Sequence, residues 1–364
     1  MEIFNSFLSG KPKALTVTEF VSTTQSGIRV VLNNAKDAKD GEAQLQNQNS
    51  DITKILSQLK KELKEREEKE NDVQAFTQEL SVQMAQSGLM RNLVRGISML
   101  SFEARKDVAY LFRFLLQKSG NVKDGFTVSY LTENVDILRE LVHGYKVRDS
   151  SAACCGLMLR ECARHEELAR ALLYDECFEQ MFGHVQLTQF DIASDAFSTL
   201  RALLVTHKKM VAQFLEERFD AFVKRCSELL VSENYVTKRQ ALRLLLDVLL
   251  DRSNIHVMTR YINQPDNLKL CMNLLRDPRR TIYTDALHMF KVFVCNPHKE
   301  KEVIKILSKN QSKLVQFLQK MNLDDAEEQA QEDRDLVLST ISALEKCEAD
   351  PVTPKKDECN GVHQ

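Results

Sequence analysis

A chain of 364 residues with 43% apolar side chains and a formal charge of −2 can bury an extended core. It lacks the net basic footprint of a general nucleic-acid binder. Its 11 Gly and 6 Pro fall well below the ordinary usage of about 7% and 5%, which disfavours turn-rich sheets and favours long helices.

Taken in chain order, residues 1–14 read as a flexible arm broken by Gly10 and Pro12. They show no basic segment leading into a long apolar run of the secretory type. Val17, Phe20, Val21, Ile28, Val31 and Leu32 predict a first helix over 17–32. Residues 34–50 are small and polar around Gly41 and read as containing a loop. Ile52, Ile55, Leu56, Leu59 and Leu63 fall on one stripe and predict a helix from Ile52 to about Arg66. The charged run Lys60 to Glu70 reads as a solvated helix face and turn. From Val73 to about Leu344, helical patterns follow one another. The breaks between them are Ser87-Gly88, Lys118 to Gly125, Gly144 to Asp149, Pro265-Asp266, Asp277-Pro278 and Asn296-Pro297. No alternation persists long enough for a sheet, and no apolar run reaches the roughly 18 residues of a membrane span. Residues 347–364, with Pro351 and Pro354, read as a disordered tail. The expectation is one helical domain over 15–346.

A longer period overlies these elements. A small or β-branched residue, another non-polar residue and a large apolar residue four positions after the first recur together. They stand at Val108/Ala109/Phe112, Cys155/Gly156/Leu159, Ala196/Phe197/Leu200, Ala241/Leu242/Leu245 and Ala286/Leu287/Phe290. Intervals of 47, 41, 45 and 45 residues lie in the armadillo/HEAT range. One such unit cannot bury its apolar face alone, so the period predicts an all-α solenoid of stacked helices and a binding surface.

Catalytic patterns are missing. Neither a Gly-x-x-x-x-Gly-Lys-Ser/Thr loop nor a Gly-x-Gly-x-x-Gly turn is present. His165-Glu166 begins like a zinc-protease motif, but its second histidine position holds Ala169. His165 therefore reads as a polar helix-end residue. No Gly-x-Ser-x-Gly elbow occurs. None of the nine cysteines forms a Cys-x-x-Cys pair, so zinc has little support, and their odd, scattered set fits a reducing compartment. Cys154 and Cys155 lie in an apolar pattern and read as core. No EF-hand loop is found. Neither enzyme activity, a cofactor, a metal nor calcium is predicted.

Five strings carry a resemblance: GLMLRECARHEELARALL (156–173), FDIASDAFSTLRALL (190–204), SENYVTKRQALRLLLDVLLDR (232–252), NLKLCMNLLRD (267–277) and HMFKVFVCNPHKEKEVIKILSKNQSKLVQFL (288–318). They resemble the mouse protein 25 family, also called calcium-binding protein 39. The likeness is dense from about 150 to 318, looser from about 17 to 149, and fades beyond about 320. It implies an armadillo-like scaffold without enzymatic activity. It also implies partners among STRAD-type pseudokinases and germinal-centre (sterile-twenty) class kinases, held in the closed, active arrangement. Kinase signalling linked to cell polarity, morphogenesis or cell division, in the cytoplasm, is the corresponding setting.

Carried onto this chain, the resemblance places a kinase-facing patch on Tyr235, Arg239 and Arg243, which share one helix flank at four-residue spacing. From sequence pattern alone these three also read as an ordinary solvated basic edge. Arg252 matches a further contact position. Ile255 stands where the family commonly has an aromatic, so an apolar contact survives without stacking. A groove for a pseudokinase tail ending in a Trp-Glu-Phe-like sequence is implied at Met272 as floor, with Lys269 beside it and Lys309 and Lys313 as rim. Without the resemblance, Met272 reads as core on a stripe with Leu268 and Leu275, and the two lysines as solubility residues. The alternative function is a structural scaffold for cytoskeletal or cytokinesis machinery without kinase activation.

Overall fold

The computed structural model describes residues 16–34, 42–68, 73–119, 125–147, 151–323 and 328–344. The expected N-terminal arm and C-terminal tail lie outside the described residues. Every regular element described is a helix, and no strand occurs among the described residues. The chain divides into two compact units: residues up to Ser232 with Asp251–Asn254, and Glu233–Leu250 with Ile255 onward.

In the first unit, two short helices and a longer one recur. Phe126–Glu133, Val135–His143 and Ser151–Cys162 form one set, and Glu166–Tyr174, Cys177–His184 and Phe190–Val205 the next. The longer helices stack in a row: Glu42–Glu68 on Phe102–Ser119, then Ser151–Cys162, then Phe190–Val205. In the second unit Tyr235–Leu249 packs on Arg280–Cys295, which packs on Glu328–Ser342. The anchors of the sequence period fall on these row helices, and every one is buried. A small residue lets the neighbouring helix approach, and the large residue one turn later fills the space behind it.

The buried face of each helix leaves a polar edge, and these edges join neighbouring row helices. Lys60 Nζ lies 2.6 Å from Asp107 Oδ1, and the Thr53 and Ser101 hydroxyls are 2.8 Å apart. Arg160 donates to Asp195 Oδ1 at 2.8 Å and to Thr199 Oγ1 at 2.9 Å. The fully buried Tyr145 donates to Asp195 Oδ2 at 2.7 Å. Gly156 makes this network possible, since a Cβ there would collide with the Asp195 carboxylate and the Tyr145 hydroxyl.

Local signals explain several boundaries. Thr16 and Glu19 form a reciprocal capping box, with Glu19 N–H donating to Thr16 Oγ1 at 3.2 Å and Thr16 N–H to Glu19 Oε2 at 3.1 Å. Gly88, at φ 74°, makes the left-handed step between Val73–Ser87 and Leu89–Arg95. Pro265 opens its helix at a position where no intrahelical donor is needed.

Two expectations need revision. The helix expected from Ile52 begins earlier, at Glu42, because Gln and Ala tolerate a helix and Asn49 is tied to Met99 O at 3.0 Å; residues 35–41, where the loop reading centres, lie outside the described residues. The Lys60–Glu70 run is more than a solvated face. Lys60 pairs with the 5% exposed Asp107, and the Arg66 guanidinium lies 4.1 Å over the Phe76 ring.

Aromatic and sulfur-bearing side chains fill the interior. In the first unit Phe178 meets Phe214 edge-on at 5.3 Å and Phe182 at 5.5 Å. Cys154, Cys155, Cys162, Cys177, Cys226 and Cys271 are buried thiols, as the apolar reading of Cys154 and Cys155 anticipated, whereas Cys295 is exposed. Burial pushes the thiol of Cys177 up to about 12 and raises those of Cys162, Cys226 and Cys271 as well. No helix of the described residues is long and apolar enough to cross a membrane.

Candidate functional site

The Tyr235–Leu249 helix starts where Asn234 caps it. The Asn234 side chain accepts from Val236 N–H at 2.9 Å and Thr237 N–H at 3.3 Å. Its apolar face, Ala241, Leu242, Leu244, Leu245, Val248 and Leu249, is buried. The opposite periodicity leaves Tyr235, Arg239 and Arg243 one above another on a flank that stays partly or fully exposed.

Each of the three is steered by a neighbour in the second unit. The Tyr235 and Thr281 hydroxyls are 2.7 Å apart, and the Arg279 guanidinium sits 5.2 Å from the Tyr235 ring. Asp277 holds Arg279 at 2.7 and 2.6 Å and Lys238 at 3.2 Å. The Arg279 hydrogen bonds hold the Asp277 carboxyl well below the ordinary carboxylate range. Arg239 reaches Tyr235 Oη with Nη1 at 3.4 Å. Its Nε is buried with no hydrogen-bond partner. A buried donor in that state costs about 1–3 kcal/mol. Arg243 Nε lies 3.6 Å from Asp285 Oδ2, an ion pair too long to count as a hydrogen bond.

The remaining predicted residues are more scattered. Arg252 is exposed in a short 3-10 turn, Arg252–Asn254, that belongs to the first unit. Ile255 opens the next helix and is 49% exposed. Met272 is only 8% exposed and packs as core. Lys269 is exposed and paired with Asp266 at 2.8 Å. Lys309 and Lys313 are both exposed on Lys301–Gln319, a helix that packs against the Met272-bearing Pro265–Leu274 helix.

Sequence reasoning passed over Phe190, which is 66% exposed, more than any other large apolar side chain among the described residues. An aromatic inside an apolar string reads as core. As the first residue of its helix, however, Phe190 has no preceding turn to lie upon, and that position was the available signal. Among the described residues no group of three His, Cys, Asp or Glu side chains is placed to hold a metal.

The Mo25-like family matches residues 7–345. Calcium-binding protein 39-like from Homo sapiens is 43% identical over 299 residues, covering 81% of this chain and 87% of that protein. A Mo25-like protein of Schizosaccharomyces pombe is 43% identical over 296 residues, covering 81% and 89%. Among solved structures, a designed armadillo repeat protein aligns at 14% identity with a TM-score of 0.43, covering 69% of this chain and 99% of that one.

Proposed function

The chain belongs to the Mo25-like family, and from that premise we propose that it is a non-catalytic adaptor for a protein kinase or pseudokinase. The partner is of the germinal-centre (sterile-twenty) or STRAD type. Tyr235, Arg239, Arg243, Arg252 and Ile255 contact its lobe. Lys269, Met272, Lys309 and Lys313 receive a short C-terminal tail. The setting is cytoplasmic kinase signalling that serves polarity, morphogenesis or division.

The observation that supports this reading best is the Tyr235–Arg239–Arg243 flank. Tyrosine and arginine are the side chains that most often anchor interfaces, and Arg239 carries a buried N–H with no partner. A guanidinium can fork onto a carboxylate or carbonyl of the partner. The mechanism is a population shift: an adaptor that binds the closed kinase more tightly adds that difference to the closed state. Moving a kinase from 1:99 to 99:1 needs about 5.5 kcal/mol of preference. Two attachment points raise the effective concentration of the second contact once the first has formed.

The test is a steady-state assay of a purified germinal-centre class kinase, or a kinase–pseudokinase pair, titrated with this chain. The expected result is a saturable rise in kcat that Arg239→Ala shifts to at least tenfold higher concentration. A kinase that binds the chain with no change in rate would overturn activation and leave a passive scaffold.

A further inference from the structure

We propose that Lys301, Lys305, Lys309 and Lys313 together form a linear binding track for an extended acidic peptide, with acidic residues at every second position. This rests on the tail-groove reading, because Lys309 and Lys313 are the rim of that groove.

All four lysines are exposed on one helix at four-residue spacing, so they follow one inclined ridge that turns about 40° per step and about 120° from Lys301 to Lys313. The spacing is about 6 Å per step and about 18 Å overall. Glu302 is the only acid in the helix. None of the four lysines has an ion-pair partner among the described residues. Three other lysines in this unit are held by carboxylates: Lys238 by Asp277, Lys269 by Asp266 and Lys291 by Asp333. The track also starts at the helix N-terminus, where the macrodipole disfavours cations.

The Glu328–Ser342 helix does not face Lys309 and Lys313. Gln311 donates to Ile341 O at 2.8 Å and Leu344 O at 3.1 Å, so it faces the Glu328–Ser342 helix. Lys309 and Lys313 each stand two residues, about 200° of helical turn, from Gln311 and point away.

An extended chain places alternate side chains on one face at about 6.7 Å, against about 6 Å along the track. Over three intervals the mismatch is about 2 Å, which flexible four-carbon stems absorb. A membrane or a single-stranded nucleic acid would call for exposed apolar or aromatic side chains beside the cations. Among the described residues of this unit those exposed are Leu250, Ile255 and Leu336, none of them on this helix.

Fluorescence anisotropy on the full chain tests the track with three labelled peptides, all ending in Trp-Glu-Phe. The preceding segment is uncharged, or carries alternating Glu and Ser, or carries the same glutamates contiguously. At low salt the alternating peptide should bind about three- to tenfold tighter than the uncharged one. That gain should exceed the gain of the contiguous peptide, and should disappear at about 0.5 M salt. It should also disappear in Lys301→Ala/Lys305→Ala, while the uncharged peptide binds this variant and the unchanged chain alike. No gain, or an equal gain in the variant or from the contiguous peptide, overturns the track and leaves the tail groove standing. Failure of all three peptides to bind removes the groove and the track together. Phosphatidylserine vesicles or a uridine oligomer binding through the same lysines, with no peptide gain, would also overturn it.

Discussion

At the scale of single residues, the polar side chains that carry the functional proposal differ from those that carry the fold. Arg239→Ala removes a guanidinium whose Nε has no partner. It should leave the thermal midpoint within a few degrees while weakening partner binding tenfold or more, read by titration calorimetry beside a melting curve. Met272 offers no such separation. At 8% exposure, Met272→Ala should cost about 2–5 kcal/mol of stability, so the groove is better probed through Lys309→Ala. Asp195 lies at the other extreme, accepting from Arg160 and Tyr145 together. Asp195→Ala should lower the urea-derived stability of the first unit by about 3–5 kcal/mol, because it strands a half-buried cation. His184 adds a pH dependence. Burial, then the cations of Lys146 and His143, push its pKa down to about 4, against about 6.5 when unfolded. As pH falls through that window, the unfolded chain takes up the proton first. Stability is therefore full above about pH 6.5 and declines towards pH 4, by about 1–2 kcal/mol once residual solvation is discounted. His184→Gln should flatten that part of the midpoint-versus-pH curve, and an unchanged curve would refute it.

At the scale of elements, the cap of the Tyr235–Leu249 helix ties local stability to the site. Asn234→Ala removes the acceptor for Val236 and Thr237 N–H groups. It should cost about 1 kcal/mol and fray the turn that carries Tyr235, so hydrogen exchange at 236–238 should quicken and partner affinity fall together. The five anchor triplets were legible in the sequence because each presents a small residue and then a large one at a fixed place. They fall on five of the row helices, and Glu42–Glu68 and Glu328–Ser342 carry none of them. The start of the second helix was not legible. Gln and Asn runs are neutral in propensity, and the tie from Asn49 to Met99 O is a long-range bond. Likewise, Lys60 to Glu70 shows no sign in sequence that a buried Asp107 lies 47 residues further along, opposite Lys60. That Tyr235, Arg239 and Arg243 share a flank followed from helical spacing, and their choice as a contact patch from the family resemblance. Their steering by Thr281, Arg279 and Asp285 required the structure.

At the scale of the whole molecule, stacked repeats make stability a sum of neighbour terms rather than one cooperative quantity. The anchors bind each row helix to the next within its unit, so damage should remain local. In Asp195→Ala, hydrogen exchange should rise across 126–205 while 265–342 keep their protection. A uniform loss of protection across the chain would show that the two units unfold together.

The buried thiols give such events a chronometer. Six cysteines lie inside the described fold and one, Cys295, lies on its surface. Alkylation follows the thiolate, and burial suppresses that form in Cys162, Cys177, Cys226 and Cys271. An alkylating reagent should therefore mark Cys295 at once and record each interior cysteine only when its own repeat opens. Peptide mass analysis over time would then return an opening frequency repeat by repeat, and a bound partner would slow the clock only where it rests.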